Sequence, residues 1–467
     1  QVARERGGRR RRGSSSPGKE ACAACAGRGV VPGGPRSASW SCGSVAIVGG
    51  GLSGLALAVG LQQRGIRCRV YERDESLLSR SQGYGLTLQQ GSAALRGLGA
   101  RVTGVSPVRH VSVSSEGVVL GVYERPSRGG GRSKYRPANV VAPRRRVREA
   151  LHDGLRPGTV EWGRSLVGLR EEASGVCLAF ADGTSATASM VVGADGARST
   201  CARLAGSNET EPLGIAVVLG ICAADVVETP LLRQATWQAV DGGGCRVYVM
   251  PYEGGAPEAT TDDAARDAAR DVGRASEDAT VMWQLSWTGG AAPEKDAILE
   301  TCAAKVAGWL DDVRRLVLAT SSDRVVAYDI RSATTVRPRL RKFPNLVLVG
   351  DAAHAMTPFK GQGANQALLD ALHLARTLRP VFGLSHPPDP AALAAALDHF
   401  ALDCVTRVTP KLLLSRQNAR LLHQPAALAP SNTARADAAR AYLGRLSSTS
   451  AAPDDADSTA EDPAPAC

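Results

Sequence analysis

The stretch "VLVGDAAHAMTPFKGQGANQALLDALHLARTL", residues 347–378, opens as a short apolar strand, passes through two turns of small residues and ends with helical periodicity. Roughly 300 residues upstream, "VAIVGGGLSGLALAVGLQQRGIRCRVYERD" at 45–74 follows the same order of strand, turn and helix. The fold turns on whether the two stretches serve one ligand from opposite ends or belong to separate domains.

The upstream stretch is the more explicit. "SVAIVGG" is a β-branched apolar run, "GGGLSG" at 49–54 supplies G-x-G-x-x-G, and "LALAVGLQQRG" continues as a helix until Gly65 stops it. "IRCRVYERD" reads as a second strand, and Glu72 stands 18 residues past Gly54, where a dinucleotide fold places its ribose-binding acid. Glycines at these positions let the backbone approach a pyrophosphate at a helix N-terminus, whose amides and dipole favour negative charge. Strand, turn, helix and acid together predict dinucleotide binding.

The chain has 467 residues, enough for two or three cores at ~100–200 residues each and enough to bury a large cofactor. Its net charge of +11 is unevenly spread. Residues 1–43 carry nine Lys/Arg against Glu5 and Glu20, and 447–467 carry five acids and no base. The middle is left with a mild basic excess, suited to an anionic cofactor and a nicotinamide dinucleotide. No compact basic stripe with interleaved aromatics is present, which argues against nucleic acid as a partner. Only Cys22 and Cys25 of the eleven cysteines have C-x-x-C spacing, with no second pair nearby; reduced thiols in an intracellular protein and no metal are expected.

No apolar run reaches the ~18–20 residues needed to span a bilayer, so peripheral contact is the most a membrane is expected to offer. The Arg/Ser/Gly-rich N-terminus leaves three readings open: a plastid or mitochondrial transit peptide, a disordered extension of a cytoplasmic protein, or an incomplete start, since the first residue is Gln1. Both tails, 1–43 and 447–467, are too poor in apolar residues to order themselves.

Between the two glycine stretches the pattern changes. "GIAVVLGICAADV", "RQATWQAV", "GCRVYVMPYE" and "ATVMWQLSWT", within 210–290, are short runs typical of antiparallel strands, followed by two helical segments, "AILETCAAKVAGWL" and "DDVRRLVLAT". Before them "ASMVVGADGARSTCARLAG" at 188–206 runs an apolar strand into Gly193, Asp195 and Gly196; by itself this reads equally as a strand-to-helix turn with Asp195 as a cap.

Three such turns in this order resemble the single-component FAD-dependent monooxygenases, the aromatic hydroxylases with the p-hydroxybenzoate hydroxylase fold. The resemblance spans about residues 44–425 and rests on "GGGLSG" with Glu72, on "GADGARS", and on "GDAAHAMTPFKGQGAN" with Asp370 in the following helix. It implies an α/β chain with a Rossmann-like FAD-binding domain built on a parallel sheet from 44–209 and 331–380. An antiparallel-sheet substrate domain is inserted at 210–330, and C-terminal helices occupy 381–446. It implies non-covalent FAD, NADPH or NADH as reductant, and insertion of one atom of O2 into a small aromatic, polyketide or isoprenoid substrate through a flavin C4a-hydroperoxide.

Carried over by position, the resemblance puts the FAD pyrophosphate on Gly49, Gly51, Leu52, Ser53 and Gly54, and the adenosine ribose on Glu72 beside Arg73. Arg144 matches the family's polar side chain near the ribose and pyrophosphate, with Arg145 and Arg146 leaving the register open. Asp351 is implied at the ribityl chain or pyrophosphate, Pro358 at the flavin's reactive edge, and the backbone of Gly361, Gly363, Ala364 and Asn365 at the pyrimidine oxygen. Pro358 and Gly361 are thus the flavin-edge positions, with no side-chain acid or base assigned, and Asp195 is the position tied to the second cofactor. One departure stands out: the family's arginine seven residues after that aspartate is Ala202 here, with Arg203 beside it. Trp237, Tyr248, Met250 and Trp283 are candidate substrate-lining residues, or plain sheet core; His354 reads as a structural turn residue, and Lys360 as either flavin-side or solvated.

Rival readings remain. A flavin halogenase would need a W-x-W-x-I-P segment, and "MWQLSWTGG" is not one. A reductase or dehydrogenase of a lipid-like substrate, an epoxidase, and a flavin-binding regulatory protein without turnover would share the three motifs.

Overall fold

The computed structural model describes residues 43–79, 84–107, 109–124, 139–172, 175–207, 210–233, 235–254, 258–260, 279–382 and 387–428. The N-terminal stretch with Cys22 and Cys25, and the tail from 429 onward, lie outside the described residues.

The strand Ser44–Val48 forms from a β-branched apolar run and sits at the centre of a five-stranded parallel sheet. The order is Leu346–Leu348, Met190–Gly193, Ser44–Val48, Arg67–Tyr71, Val160–Glu161. The chain therefore leaves the central strand to one side and later returns on the other. That reversal opens a crevice at the carboxyl ends of the strands, where ligands of open α/β sheets bind. The strand of "NLVLVGD" joins the sheet begun by "SVAIVGG", separated from it by Met190–Gly193.

The helix Leu52–Gln62 is buried from Leu52 to Leu61, as expected of a helix apolar all round. It lies between the sheet and the helix Gly363–Leu378, close enough that a Cβ on Gly60 would come within 2.8 Å of the Ala375 Cβ. Gly65, at φ +74°, lets the chain turn back into the next strand.

The second large sheet has seven strands in the order Val325–Ala333, Thr210–Ala223, Thr280–Thr288, Cys245–Glu253, Thr236–Val240, Arg109–Ser114, Val119–Glu124. All its pairings are antiparallel except that of Thr236–Val240 with Arg109–Ser114. The sheet thus draws two strands from within 44–209. They cover the edge that Thr236–Val240 would otherwise leave unpaired.

Alternation along these strands gives the sheet two apolar faces. One packs on the helices Ile298–Lys305 and Asp311–Leu318 through Trp237, Trp283, Leu285, Val313 and Leu316. The other gathers Val217, Leu219, Met250, Tyr252, Met282 and Ile330 around Phe359 and Val141, against the half built on the parallel sheet.

The helix Pro390–Leu421 straps the halves together. Asp389 caps its start by accepting from the Ala392 N–H (2.8 Å), with Pro390 in the first turn. Leu393, Leu397, Phe400 and Val408 enter the parallel-sheet core, and Ala419 reaches the core under the seven-stranded sheet. Among the described residues no helix is long and apolar enough to cross a membrane.

Candidate active site

Close approach builds the first glycine turn. A Cβ on Gly49, at φ +109°, would lie 2.5 Å from the Ala194 carbonyl oxygen, and one on Gly54 would lie 1.9 Å from that of Gly49. Side chains are excluded at both positions, so the helix Leu52–Gln62 starts hard against the strand end. Gly51 caps that helix without a side-chain hydrogen bond, which leaves first-turn N–H groups for an anion. The buried Glu72 carboxylate, at the end of the neighbouring strand, accepts from the N–H groups of Gly50 and Asp74. Arg73 is exposed.

The downstream motif meets this turn directly. Gly350 has φ +58°, and a Cβ there would lie 2.9 Å from Ser53 Oγ and 3.2 Å from the Ala367 Cβ. The two stretches therefore share one cleft, with the N-termini of Leu52–Gln62 and Gly363–Leu378 both opening beside it. The second helix also lacks a side-chain cap at Gln362, so Gly363 and Ala364 open it with N–H groups that no side chain caps.

Asp351 is exposed at the cleft. Arg144 donates to Tyr84 Oη (2.7 Å), and a Cβ on Gly51 would be 3.9 Å from its guanidinium. Its pKa is pushed up by Tyr84 foremost, with Asp351 adding. Arg145 and Arg146 turn instead to Glu253, at 3.8 and 3.2 Å, so Arg144 is the member of the run that lies beside the glycine turn. Arg148, one helical turn further on, donates to the carbonyls of Gly50 (2.8 Å) and Leu77 (2.9 Å). The sequence reading missed it, although its i+4 spacing from Arg144 was available as a signal.

Pro358 is exposed at the start of the single turn Pro358–Lys360, and Gly361 ends that turn in the left-handed region at φ +60°. The buried Asn365 side chain is fully engaged. Its Oδ1 accepts from the N–H groups of Gln89 and Gly91 (2.8 Å each), and its Nδ2 donates to the carbonyls of Thr87 (2.9 Å) and Gly361 (2.7 Å). What Asn365 can offer a ligand is its backbone, not its amide.

A buried network stands behind the turn. Asp370 Oδ2 accepts from the Gly350 N–H (2.8 Å) and meets His354 Nε2 (2.7 Å), while Arg407 donates to Oδ1 (2.7 Å) and to Gln366 (2.7 Å). Burial would raise Asp370, but His354 and Arg407 hold it at about 2. Burial would lower His354, but the Asp370 carboxylate outweighs it and raises the imidazole. This histidine is thus a structural pin for the Gly350–Asp351 turn.

The family profile described as "FAD binding domain" matches residues 43–383. The chain is 31% identical to 3-amino-4-hydroxybenzoate 2-monooxygenase of Streptomyces cremeus, over 71% of this chain and 77% of that protein. It is 30% identical to aurachin C monooxygenase/isomerase of Stigmatella aurantiaca, over 72% and 80%. The chain belongs to the FAD-dependent monooxygenases. The fold agrees with solved members: 2,6-dihydroxypyridine-3-hydroxylase of Arthrobacter nicotinovorans superposes at a TM-score of 0.66, with 21% identity over 85% and 96% of the two chains. Klebsiella pneumoniae HpxO complexed with FAD and uric acid superposes at 0.65, with 21% identity over 86% and 92%.

In this monooxygenase the four candidate substrate residues part company. Trp237 and Trp283 are buried on the face that packs against helices, Trp283 donating to Thr320 Oγ1 (2.8 Å). Tyr248 and Met250 are on the opposite face, with the core around Phe359. The pleat decides this. Trp237, Val249 and Trp283 are in register with one another, and so are Gln238, Tyr248 and Gln284, one residue along. The two tryptophans therefore belong to the core behind the sheet. Arg246, Gln238 and Gln284, absent from the sequence reading, share the face of Tyr248 and Met250.

Asp195 uses its carboxylate within its own turn. It accepts from Ser199 Oγ (2.6 Å) and from the N–H groups of Thr200 (2.7 Å) and Cys201 (3.1 Å), so the cap reading describes its side chain. Ala202 is buried in the core of that turn and Arg203 is exposed. An arginine at 202 would displace this packing, and at 203 it points to solvent.

Proposed function

We propose that this enzyme uses NADPH or NADH and O2 to insert one oxygen atom into a small electron-rich aromatic substrate, with FAD held non-covalently across the two glycine turns. The contact of Gly350 with Ser53 carries this reading, because it joins two uncapped helix N-termini in one cleft. The residues present suit FAD. The turn Gly49–Gly54 and the guanidinium of Arg144 receive the pyrophosphate, Glu72 the ribose, and Asp351 the ribityl chain. The N–H groups of the Gly361–Asn365 turn take the pyrimidine edge, where charge accumulates on reduction. Bound there, FAD supplies the hydride acceptance and oxygen activation.

The side chains of the chain itself orient and exclude water. Asn365 fixes the turn that carries those N–H groups, Pro358 and Phe359 wall the reactive edge, and the cofactor-side face of the seven-stranded sheet covers the substrate. Asp195 serves the second cofactor by fixing its turn. The aromatic preference is supported by the benzoate named in a relative.

The test uses the purified yellow protein. Compounds are screened for acceleration of NADPH- or NADH-driven flavin reduction, with O2 consumption followed and products weighed. A product heavier by one oxygen is expected. A colourless protein without FAD, or FAD that no compound in the panel brings to reduction, would overturn the reading.

A further inference from the structure

Beside the Gly361–Asn365 turn runs a chain of side-chain amides with a charge at its far end. Arg407, on the helix Pro390–Leu421, donates to Gln366 Oε1 (2.7 Å). Gln366 Nε2 donates to Gln362 Oε1 (3.1 Å), with a longer contact to Gln90 Oε1 (3.4 Å), and Gln362 Nε2 donates to Gln89 Oε1 (2.9 Å). Gln362 and Gln366 are 8% and 1% exposed, so little water competes for these bonds.

The direction of this chain is not free. An amide can offer a neighbour either its oxygen or its N–H groups, but a guanidinium only donates. Arg407 is itself held by Asp370 (2.7 Å) and lies 3.5 Å from an Asp403 oxygen, so its fork stays against Gln366. Gln366 must therefore turn its oxygen to Arg407 and its nitrogen onward, and Gln362 must repeat that choice. Were either amide reversed, two donors or two acceptors would meet in a buried place.

The chain ends at Gln89, which is half-buried. Its oxygen is taken by Gln362, and its amide N–H groups have no partner among the described residues. The backbone N–H of Gln89 donates to Asn365 Oδ1 (2.8 Å), and Nδ2 of the same asparagine donates to the Gly361 carbonyl (2.7 Å). Gln89 is therefore tied twice to the turn proposed to carry the pyrimidine edge of the flavin, through its backbone to Asn365 and through its side chain to Gln362.

We infer that Gln89 is a further cofactor-binding residue, presenting N–H groups to the pyrimidine edge of the flavin, and that Arg407, through Gln366 and Gln362, is the positioning residue that makes it a donor rather than an acceptor. A donor there favours reduced flavin, whose pyrimidine carries negative charge, over oxidised flavin. An acceptor would do the reverse. This inference rests on FAD being held at the Gly361–Asn365 turn and adds how the chain tunes it.

The readout is the midpoint potential of the bound flavin in the FAD-loaded full chain, titrated against a redox dye, which needs no substrate or turnover. Gln89→Leu removes the terminal donor and is expected to lower the preference for reduced over oxidised flavin by about 10-fold, about 30 mV for a two-electron couple. Gln366→Glu keeps the bond to Arg407 but leaves only an acceptor facing Gln362, so Gln362 and Gln89 turn over and Gln89 shows its oxygen; a fall of about 10-fold or more is expected. In the double variant, Gln366→Glu is expected to add less than about twofold to the effect of Gln89→Leu. Arg407→Lys, which keeps a charged donor, is expected to shift the potential less than Arg407→Leu does. An unchanged potential in Gln89→Leu, equal shifts in the two Arg407 variants, or a Gln366→Glu effect undiminished in the double variant, as a bare charge acting through space would give, overturns the inference. If the Arg407 and Gln366 variants do not retain FAD, Gln89→Leu alone decides the matter. A colourless wild type would sink the FAD reading as well; a yellow protein whose potential ignores Gln89 would sink only this one.

Discussion

Asn365 shows how a residue can matter to a ligand without offering it a side chain. Its amide makes four hydrogen bonds, two to N–H groups and two to carbonyls, and so joins the segment after Thr87 to the Gly361 turn. Replacing it with alanine orphans the buried N–H of Gly91 and the half-buried N–H of Gln89, at about 1–3 kcal/mol each, and frees the turn proposed to present amides to the flavin. Asn365→Ala is expected to melt several degrees lower than wild type and to hold FAD at least about 10-fold more weakly; thermal melts and flavin fluorescence titration measure the two effects. A variant that loses stability but keeps its FAD affinity would reduce Asn365 to a packing residue. The motif "GQGAN" was legible as a turn opening a helix, yet the direction of this amide was not, because three of its four partners lie some 275 residues away.

At the scale of elements, the helix Gly363–Leu378 is held by charge as well as packing. Asp370 joins it to Gly350 through the N–H, to the DAAH turn through His354 and to the C-terminal helix through Arg407. The folded pKa of Asp370, about 2, lies below its ordinary 3.8, so its stabilisation is complete above about pH 4 and is lost as the pH falls toward 2. That of His354 is raised above 6.5, so its share is complete below pH 6.5 and is lost as the pH rises through the raised value. Asp370→Asn is therefore expected to be less stable than wild type by about 3–5 kcal/mol, with the gap widest between about pH 4 and 6.5 and narrowing on either side. Denaturant titrations across pH measure it; a gap independent of pH would show that the pair is not ionised. The helices and most strands were readable from periodicity and glycine stops. The division of the seven-stranded sheet was not, because Arg109–Ser114 pairs with a strand more than 120 residues later.

Across the whole molecule, the proposed cofactor cleft lies among a parallel sheet, a seven-stranded sheet and a C-terminal helix that touches both cores. A ligand filling that cleft binds the folded state only. Stripping FAD is expected to lower the melting temperature by several degrees, and added FAD at about 100 times its Kd is expected to restore about 2.7 kcal/mol. Differential scanning calorimetry of holo, stripped and reconstituted protein measures this; identical melts would mean that FAD does not hold these parts together.

By itself the sequence determined the glycine turns, the acid after the second strand, the parallel-sheet core and membership of a flavin-binding class, because each depends on local spacing that the backbone obeys wherever the segment lies. Tertiary structure alone decided that Gly350 abuts Ser53, that Arg144 rather than its two neighbours turns to the cleft, and that Trp237 and Trp283 lie behind the sheet while Arg246 and Gln284 lie in front. These outcomes follow from register and long-range pairing, where a shift of one residue exchanges the faces of a strand. Residue type carries no record of that choice.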